Sequence, residues 1–500
     1  MRLQAPAPPG DDTLALPAES PAFPIHRIHL ELPPEHAATF RFASAYLERY
    51  QGRDLGPEGL KLIMARLTRR LLDRGFTTTR VDLPAQNLSG GTLTLRLIPG
   101  VISAIRATGP DTWRAALPCR PGDLLNLRDL EQGLEQFKRV PSQDVTMAIA
   151  PGARPGESEL LLTFTRGRPW RGALTLDDSG LPATGPWQGH LQAAWDNPLG
   201  RSDQLTASLS HDLTAWRQGS GTRGASLAYT LPAGYWTFGA TWQRYEYAQR
   251  LSGLYRDLDA TGWSSTLELR AARLFHRDQT QKNTLQLRLG QRTGKAFLEA
   301  VELDVQRRAN SFAELALIHT RALGRAQLDV TLAHRQGLSW FGAQADLGPT
   351  GPTFFYRLRT LDATLGLPLG GLRYTATLHA QHTRDTLFAT EYLSLGGRHT
   401  VRGFPGDGAV ASENGLFLRN GLERPLGRAT SLYLGLDAGR VYGANERALP
   451  GRALVGAVLG VKGVLHRRLS FNAFLGGPLH RPSALRPSWP VLGLTASLHF

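Results

Sequence analysis

Cysteine is almost absent. Cys119 is the only one in 500 residues, so neither an intramolecular disulfide nor a cysteine-based metal centre is available. Long apolar runs are missing as well. No window holds 18 uninterrupted apolar residues, which excludes a transmembrane helix; the nearest stretch, residues 453–465, is short, rich in glycine and broken by Lys462. The 54 Gly and 32 Pro follow no fixed period, so the chain is not collagen-like, and 41% hydrophobic residues exclude a wholly disordered one. The sequence also lacks HExxH, GxSxG and GxGxxG, and with them the commonest signatures of metalloprotease, serine hydrolase and dinucleotide enzymes.

Lysine is scarce: five Lys stand against 52 Arg, and against 42 Asp and Glu they leave a net charge of +15. Such a balance suggests an acidic partner, but the arginines are scattered between apolar positions and form no basic arm, tail or helix face. Arginine lining a polar channel accounts for this better than nucleic-acid binding. Two enzyme-like patterns fail on detail. Gly290 to Lys295 is one residue short of a phosphate loop and is followed by Ala296 where Ser or Thr is required. His379 and His382 sit three apart on a predicted strand, hence on opposite faces, which is wrong for a shared metal. No catalytic residue, cofactor or metal is expected.

Two textures are present, and they change near Trp170. Before it, strands alternate with helical patterns. Residues 24–31 alternate as an edge-type strand, and Leu60, Ile63, Met64, Leu67 and Leu71 recur at helical spacing up to Gly75. Strands are predicted over 78–83 and 92–98. A second, shorter module repeats the theme: strand 102–107, a helix capped by Asn126 with the stripe Leu127, Leu130, Leu134 and Phe137, and strands 145–150 and 159–164. The bland reading of both stripes is core packing, and it is the one adopted.

After Trp170 the helical period disappears. Segments of about ten residues alternate apolar with polar, as in 204–210, 284–289, 327–333, 372–380 and 431–437, and nine of the ten Trp lie from Trp170 onward, several near segment ends. This is the pattern of a transmembrane β-barrel. The tail Leu492, Leu494, Ala496, Leu498, Phe500 puts apolar residues on one face and stops on an aromatic, as expected of a closing strand in a membrane. Residues 169–500, at about 20 residues per strand and connection, hold about sixteen strands.

One long glycine-rich connection carries an unusual cluster, Gly396-Gly397 followed by Val401-Arg402-Gly403-Phe404. Further on, Gly435-Leu436-Asp437 lies inside a predicted strand. If Leu432, Leu434 and Leu436 face lipid, Tyr433, Gly435 and Asp437 face the lumen. A lumenal carboxylate beside a small residue has room for a guanidinium, and a forked Arg–Asp pair would hold the loop inside the pore. On spacing alone, two separately solvated charges are the plainer reading.

These residues resemble the VRG(F/Y) loop and (F/G)xD strand motifs of the outer-membrane transporters of two-partner secretion, the haemolysin secretion/activation family. That family belongs to a superfamily of barrels preceded by periplasmic polypeptide-transport-associated (POTRA) domains. The likeness covers most of the chain. Leu83-Pro84-Ala85-Gln86-Asn87-Leu88, Leu125 to Gln132, Asp177-Asp178-Ser179-Gly180 and Asp196-Asn197-Pro198-Leu199-Gly200 resemble the family's pattern in the same order. The resemblance implies that Arg402 pairs with Asp437.

The start departs from the family's pattern, which commonly opens with a pore-plugging helix. Only 22 residues precede the first strand, Pro6, Pro8, Pro9 and Pro17 among them, and they contain no run of signal-peptide length. Either an export signal lies upstream of Met1, or the start is misassigned, or the protein stays inside. Residues 1–22 read as a flexible leader.

The resulting expectation is a mainly β chain: two small α+β POTRA domains, 23–98 and 99–168, then a sixteen-stranded antiparallel outer-membrane barrel, 169–500, with a loop at about 383–412 folded inward. Val401, Arg402, Gly403, Phe404, Gly435 and Asp437 form its loop anchor and Phe500 its assembly signal. The implied work is export of a large, unfolded, β-helical exoprotein without ATP. The implied partners are that exoprotein, outer-membrane lipid and the barrel-assembly machinery, with no nucleic acid, and the barrel is expected to be monomeric. A barrel-assembly insertase of the same superfamily and a passive porin are the alternatives.

Overall fold

A computed structural model describes residues 14–109, 111–214, 220–346, 348, 351–406, 410–444, 449–485 and 489–500. The chain divides into two compact units. The first comprises 1–167 with the short stretches 199–202 and 232–235, and the second the remainder.

In the first unit, β1 (Phe23–Ile25), β2 (Arg27–Glu31), α1 (Arg41–Glu48), β3 (Arg53–Leu55), α2 (Pro57–Asp73), β4 (Arg80–Asp82) and β5 (Thr92–Ile98) build one module. Its sheet runs β2-β5-β4, with β2 parallel and β4 antiparallel to β5. The predicted helix stripe is core: Ile63, Leu67 and Leu71 of α2 are fully buried with Leu93 and Leu95 of β5. The predicted single strand 24–31 is broken at His26 into β1 and β2, which belong to different sheets. The expected flexible leader also differs in part. Leu14 and Leu16 pack on this core, and the Glu19 carboxylate accepts hydrogen bonds from the N–H groups of Glu58 and Gly59, both at 2.7 Å, capping α2 at its positive end. Residues 1–13, including Pro6, Pro8 and Pro9, lie outside the described residues.

The second module comprises β6 (Val101–Ala107), α3 (Leu127–Lys138), β7 (Gln143–Pro151) and β8 (Glu157–Arg166), with sheet order β6-β8-β7. Asn126 caps α3 as expected, its side chain accepting from the Arg128 N–H at 2.8 Å.

The second unit is a closed antiparallel barrel of sixteen strands. They are β9 (Trp170–Asp177), β10 (Gln188–Asp196), β11 (Gln204–Asp212), β12 (Gly221–Ala233), β13 (Trp236–Ser252), β14 (Asp257–Arg277) and β15 (Gln281–Leu298). A two-residue side strand, β16 (Val301–Glu302), pairs with β15. The wall continues with β17 (Arg308–Leu323), β18 (Ala326–Leu338), β19 (Arg357–Leu369) and β20 (Leu372–His382). After an inserted hairpin, β21 (Leu393–Leu395) and β22 (Val410–Ser412), come β23 (Asn414–Pro425), β24 (Thr430–Tyr442), β25 (Ala453–Leu465), β26 (Leu469–His480) and β27 (Val491–His499). The wall closes where β27 meets β9 over five register pairs, from Thr495↔Asp177 to His499↔Ala173. Closure satisfies every strand edge, which is what permits a sheet to sit in lipid. Leu432, Leu434 and Leu436 are exposed on the outside while Gly435 between the last two and Asp437 just after them are buried, the inversion expected of a wall that faces hydrocarbon. Trp170 and Trp195 stack at 4.5 Å at the same end of the barrel. Among the described residues no helix is long and apolar enough to cross a membrane.

Candidate functional site

The connection from β20 to β23 does not stay outside. It carries a 3₁₀ turn (Ala389–Glu391), then the β21/β22 hairpin, which pairs only with itself, Leu393 with Ser412 through Leu395 with Val410. Its tip lies against the inner faces of β23 to β26. Leu395, Val401, Phe404 and Val410 form an apolar cluster with Phe417, Val441 and Leu454 of the wall. The loop is thus held by side chains, outside the ladder that makes the wall.

Arg402 is the main polar contact of that tip. Its Nε donates to Asp437 Oδ2 at 2.6 Å and a terminal nitrogen donates to Oδ1 at 2.7 Å, a forked contact. Its backbone N–H donates to the same Oδ2 at 3.0 Å, and the terminal nitrogen also reaches the Asn420 carbonyl at 2.9 Å. Asp437 is fully buried, so its charge depends on these donors together with the Asn420 N–H at 3.2 Å. Arg419 adds a second, weaker cation at 3.9 Å.

Glycine makes the approach possible. A Cβ on Gly435 would overlap the Arg402 guanidinium, which explains the small residue two places before the carboxylate. Gly403 has φ +95° and sits against the Gly477 carbonyl, so a side chain there is both strained and obstructed. Val401 and Phe404, fully or almost fully buried, flank the pair with apolar surface. The predicted loop residues Val401, Arg402, Gly403 and Phe404 and the strand residues Gly435 and Asp437 are therefore brought together. Phe500 lies elsewhere: its backbone exchanges hydrogen bonds with Gly172 of β9 at 2.9 and 3.0 Å, and its ring covers that glycine on the half-exposed outer wall.

Several contributors were not anticipated. Gly456 of β25 leaves the space in which the Arg402 carbonyl sits; isolated glycines inside a strand are the available cue. Arg398 pairs with Asp178, whose carboxylate also accepts from the Leu494 N–H at 2.9 Å, so the tip reaches the closing seam. Glu391 pairs with Arg292 and Arg335 of the wall. Among the described residues no group of three or more His, Cys, Asp or Glu side chains converges as a metal site.

The comparisons with known proteins agree with this architecture. The family described as haemolysin secretion/activation protein ShlB/FhaC/HecB matches residues 156–463. A ShlB-type POTRA domain matches 23–100, and a further POTRA domain matches 102–151. Outer membrane transporter CdiB-2 of Burkholderia pseudomallei is 37% identical over 97% of this chain and 88% of its own length. Hemolysin transporter protein ShlB of Serratia marcescens is 31% identical over 76% of this chain and 70% of its own. Among solved structures, CdiB from Escherichia coli superposes with a TM-score of 0.89 at 28% identity, covering 98% of this chain and 93% of that one.

Proposed function

The chain belongs to the haemolysin secretion/activation family, outer-membrane transporters of two-partner secretion with periplasmic POTRA domains, and from that premise we propose how its parts divide the work. Members are transporters rather than enzymes, and they work with a secreted exoprotein. In our reading the client is a large β-helical protein presented unfolded. The modules at 23–98 and 99–168 receive it, the barrel at 169–500 conducts it, and the loop at 383–412 gates the pore.

Among the described residues both periplasmic sheets leave edge strands without a further strand partner, β2 and β4 in one and β7 in the other, while the start of β6 bonds to residues 122–125. An extended client segment adds to such an edge through main-chain hydrogen bonds, which gives affinity with little sequence demand. No ATP is needed: each β-helical coil that folds outside prevents back-sliding. Val401, Arg402, Gly403, Phe404, Gly435 and Asp437 hold the gate, and Phe500 is the mark read by the barrel-assembly machinery as a monomeric barrel enters outer-membrane lipid.

One observation supports this division most. The loop lies inside a closed wall but outside its ladder, so it is removable without unzipping a single strand pair. The test is deletion of residues 23–168. Barrel abundance in the outer membrane should stay near normal while export of the exoprotein falls to background. Undiminished export by the truncated protein would refute the assignment of the modules.

A further inference from the structure

The tip pair is one fastening of the loop; the other end of the same loop meets a second set of charges. Glu391, at the end of the 3₁₀ turn, has a side chain only 8% exposed, and each of its oxygens accepts from a different wall strand. Arg292 of β15 donates to one at 2.8 Å, and Arg335 of β18 donates to the other at 3.3 Å. Arg335 in turn donates from Nε to Glu314 of β17 at 2.9 Å, and the other oxygen of Glu314 accepts from Arg288 Nε at 2.8 Å. Glu268 of β14 lies 3.8 Å from Arg288. Three guanidinium groups thus face three carboxylates, and one of the three carboxylates belongs to the loop rather than to the wall.

That ownership matters because the network is half-shielded from water. Without Glu391, Arg292 has no carboxylate partner among the described residues and Arg335 keeps only Glu314. Leaving such a charge uncompensated is far costlier than losing an exposed pair. The turn is also placed, not merely touched. Gln381 donates to the Glu391 carbonyl at 2.7 Å, Leu387 packs with Tyr356 and Leu358 of the wall, and Phe388 stacks on Phe354 at 4.3 Å. In barrel order β24, which carries Asp437, stands four strands beyond β18. The loop is therefore tied to two separate sectors of the wall.

We propose that Glu391 is a second anchor of the inward loop, a positioning residue that fastens its descending arm to Arg292 and Arg335, so that the loop crosses the lumen fixed at two sectors and both must release before a client passes. The inference rests on the gate reading above and adds to it. It also gives the open pore a character: a departing loop takes its carboxylate away and leaves Arg292 and Arg335 bare, so the opened lumen favours anions.

The experiment is single-channel recording of the full-length protein in planar bilayers, with export per assembled barrel measured alongside. Glu391→Gln should raise the open probability about ten- to a hundredfold, the range of one hydrogen-bonded charge contact, while the open pore favours chloride in wild type and variant alike. Arg292→Gln breaks the same contact from the wall and guards against a Glu391 variant that fails to assemble. Glu391→Gln with Arg292→Gln should open little more than either alone, as should Arg402→Ala with Asp437→Ala, since each pair removes one contact. Glu391→Gln with Arg402→Ala should instead multiply the two single effects, because the anchors are separate. A Glu391→Gln channel that gates like the wild type while Arg402→Ala opens would overturn the second anchor and leave the gate reading intact. So would a Glu391→Gln with Arg402→Ala channel no more open than Arg402→Ala alone. If Arg402→Ala itself gates normally, the gate reading fails.

Discussion

The two units of this chain use the same residues with opposite orientation. In β8 of the second periplasmic module Leu160 and Leu162 are buried with Leu161 between them exposed; in β24 Leu432, Leu434 and Leu436 are outside while Gly435 and Asp437 are buried. Hydropathy averaged along the chain cannot separate these cases, because the alternation is identical whichever face meets apolar matter. What separates them is closure. A sheet covered by a helix keeps water outside and a dry interior, whereas a sheet closed on itself in lipid needs apolar residues outside and tolerates a polar, wet interior. Stability in the first unit rests on a packed core, and in the second on the ladder and the lipid.

Truncating the core side of this comparison should have the largest effect. Phe137 is fully buried and meets Phe164 edge-on, with ring centroids 5.3 Å apart. Phe137→Ala removes that packing and should cost about 3–5 kcal/mol, comparable to the stability of a small module. Trypsin applied to the intact protein in detergent should then cut within 99–168 first, while the barrel band on an unheated gel is unchanged. Equal resistance of variant and wild type would show that the module does not rely on this core.

On the lipid side, Leu434 faces outward between Leu422 of β23 and Leu459 of β25. Leu434→Arg places a charge in hydrocarbon and should cost about 2–4 kcal/mol, less than the core truncation. The heat-modifiable fraction of barrel in outer membranes should fall, with the periplasmic modules still protease-resistant. A normal folded fraction would mean that this face does not meet lipid.

How much was readable beforehand follows from the same contrast. Alternation is enough to decide which face of a strand a residue occupies, so Tyr433, Gly435 and Asp437 were assigned to the lumen from their neighbours. It carries no information on height: register across the wall sets which lumenal residues meet. Glu391 contacts residues 99 and 56 positions earlier in the chain, and no local pattern links them. Arg402 and Asp437 were linked only because both fall in motifs that the resemblance connects. Helix α1 is eight residues long and its N-cap, Phe40, offers no side-chain hydrogen bond, so it has neither the length nor the start signal that a sequence pattern needs. The split at His26 was hidden because β1 and β2 continue one alternating pattern while joining different sheets.

The smallest effect, and the most direct probe of dryness, uses the single cysteine. Cys119 is 4% exposed among Trp113, Leu130 and Phe137. Burial first, and then the nearby carboxylates of Asp129 and Asp123, push its thiol pKa up to about 12. At pH 8 only about one molecule in 10⁴ carries the reactive thiolate, before access is counted. Alkylation of the native protein should therefore be slow, governed by opening of the module. Because the folded state keeps this proton longer than the unfolded chain does, stability should fall as pH rises above about 9, by about 1.4 kcal/mol per unit until the folded thiol ionises. A cysteine in the lumen should behave otherwise. Thr495 borders a cavity of about 860 Å³ with Arg467 and Lys462, so Thr495→Cys should label more than a hundredfold faster than Cys119 at the same pH. Mass spectrometry of the intact protein resolves the two sites by peptide. Labelling of both at one rate would show either that the module core is wet or that the lumen is as dry as the core, and the contrast between the two units would not stand.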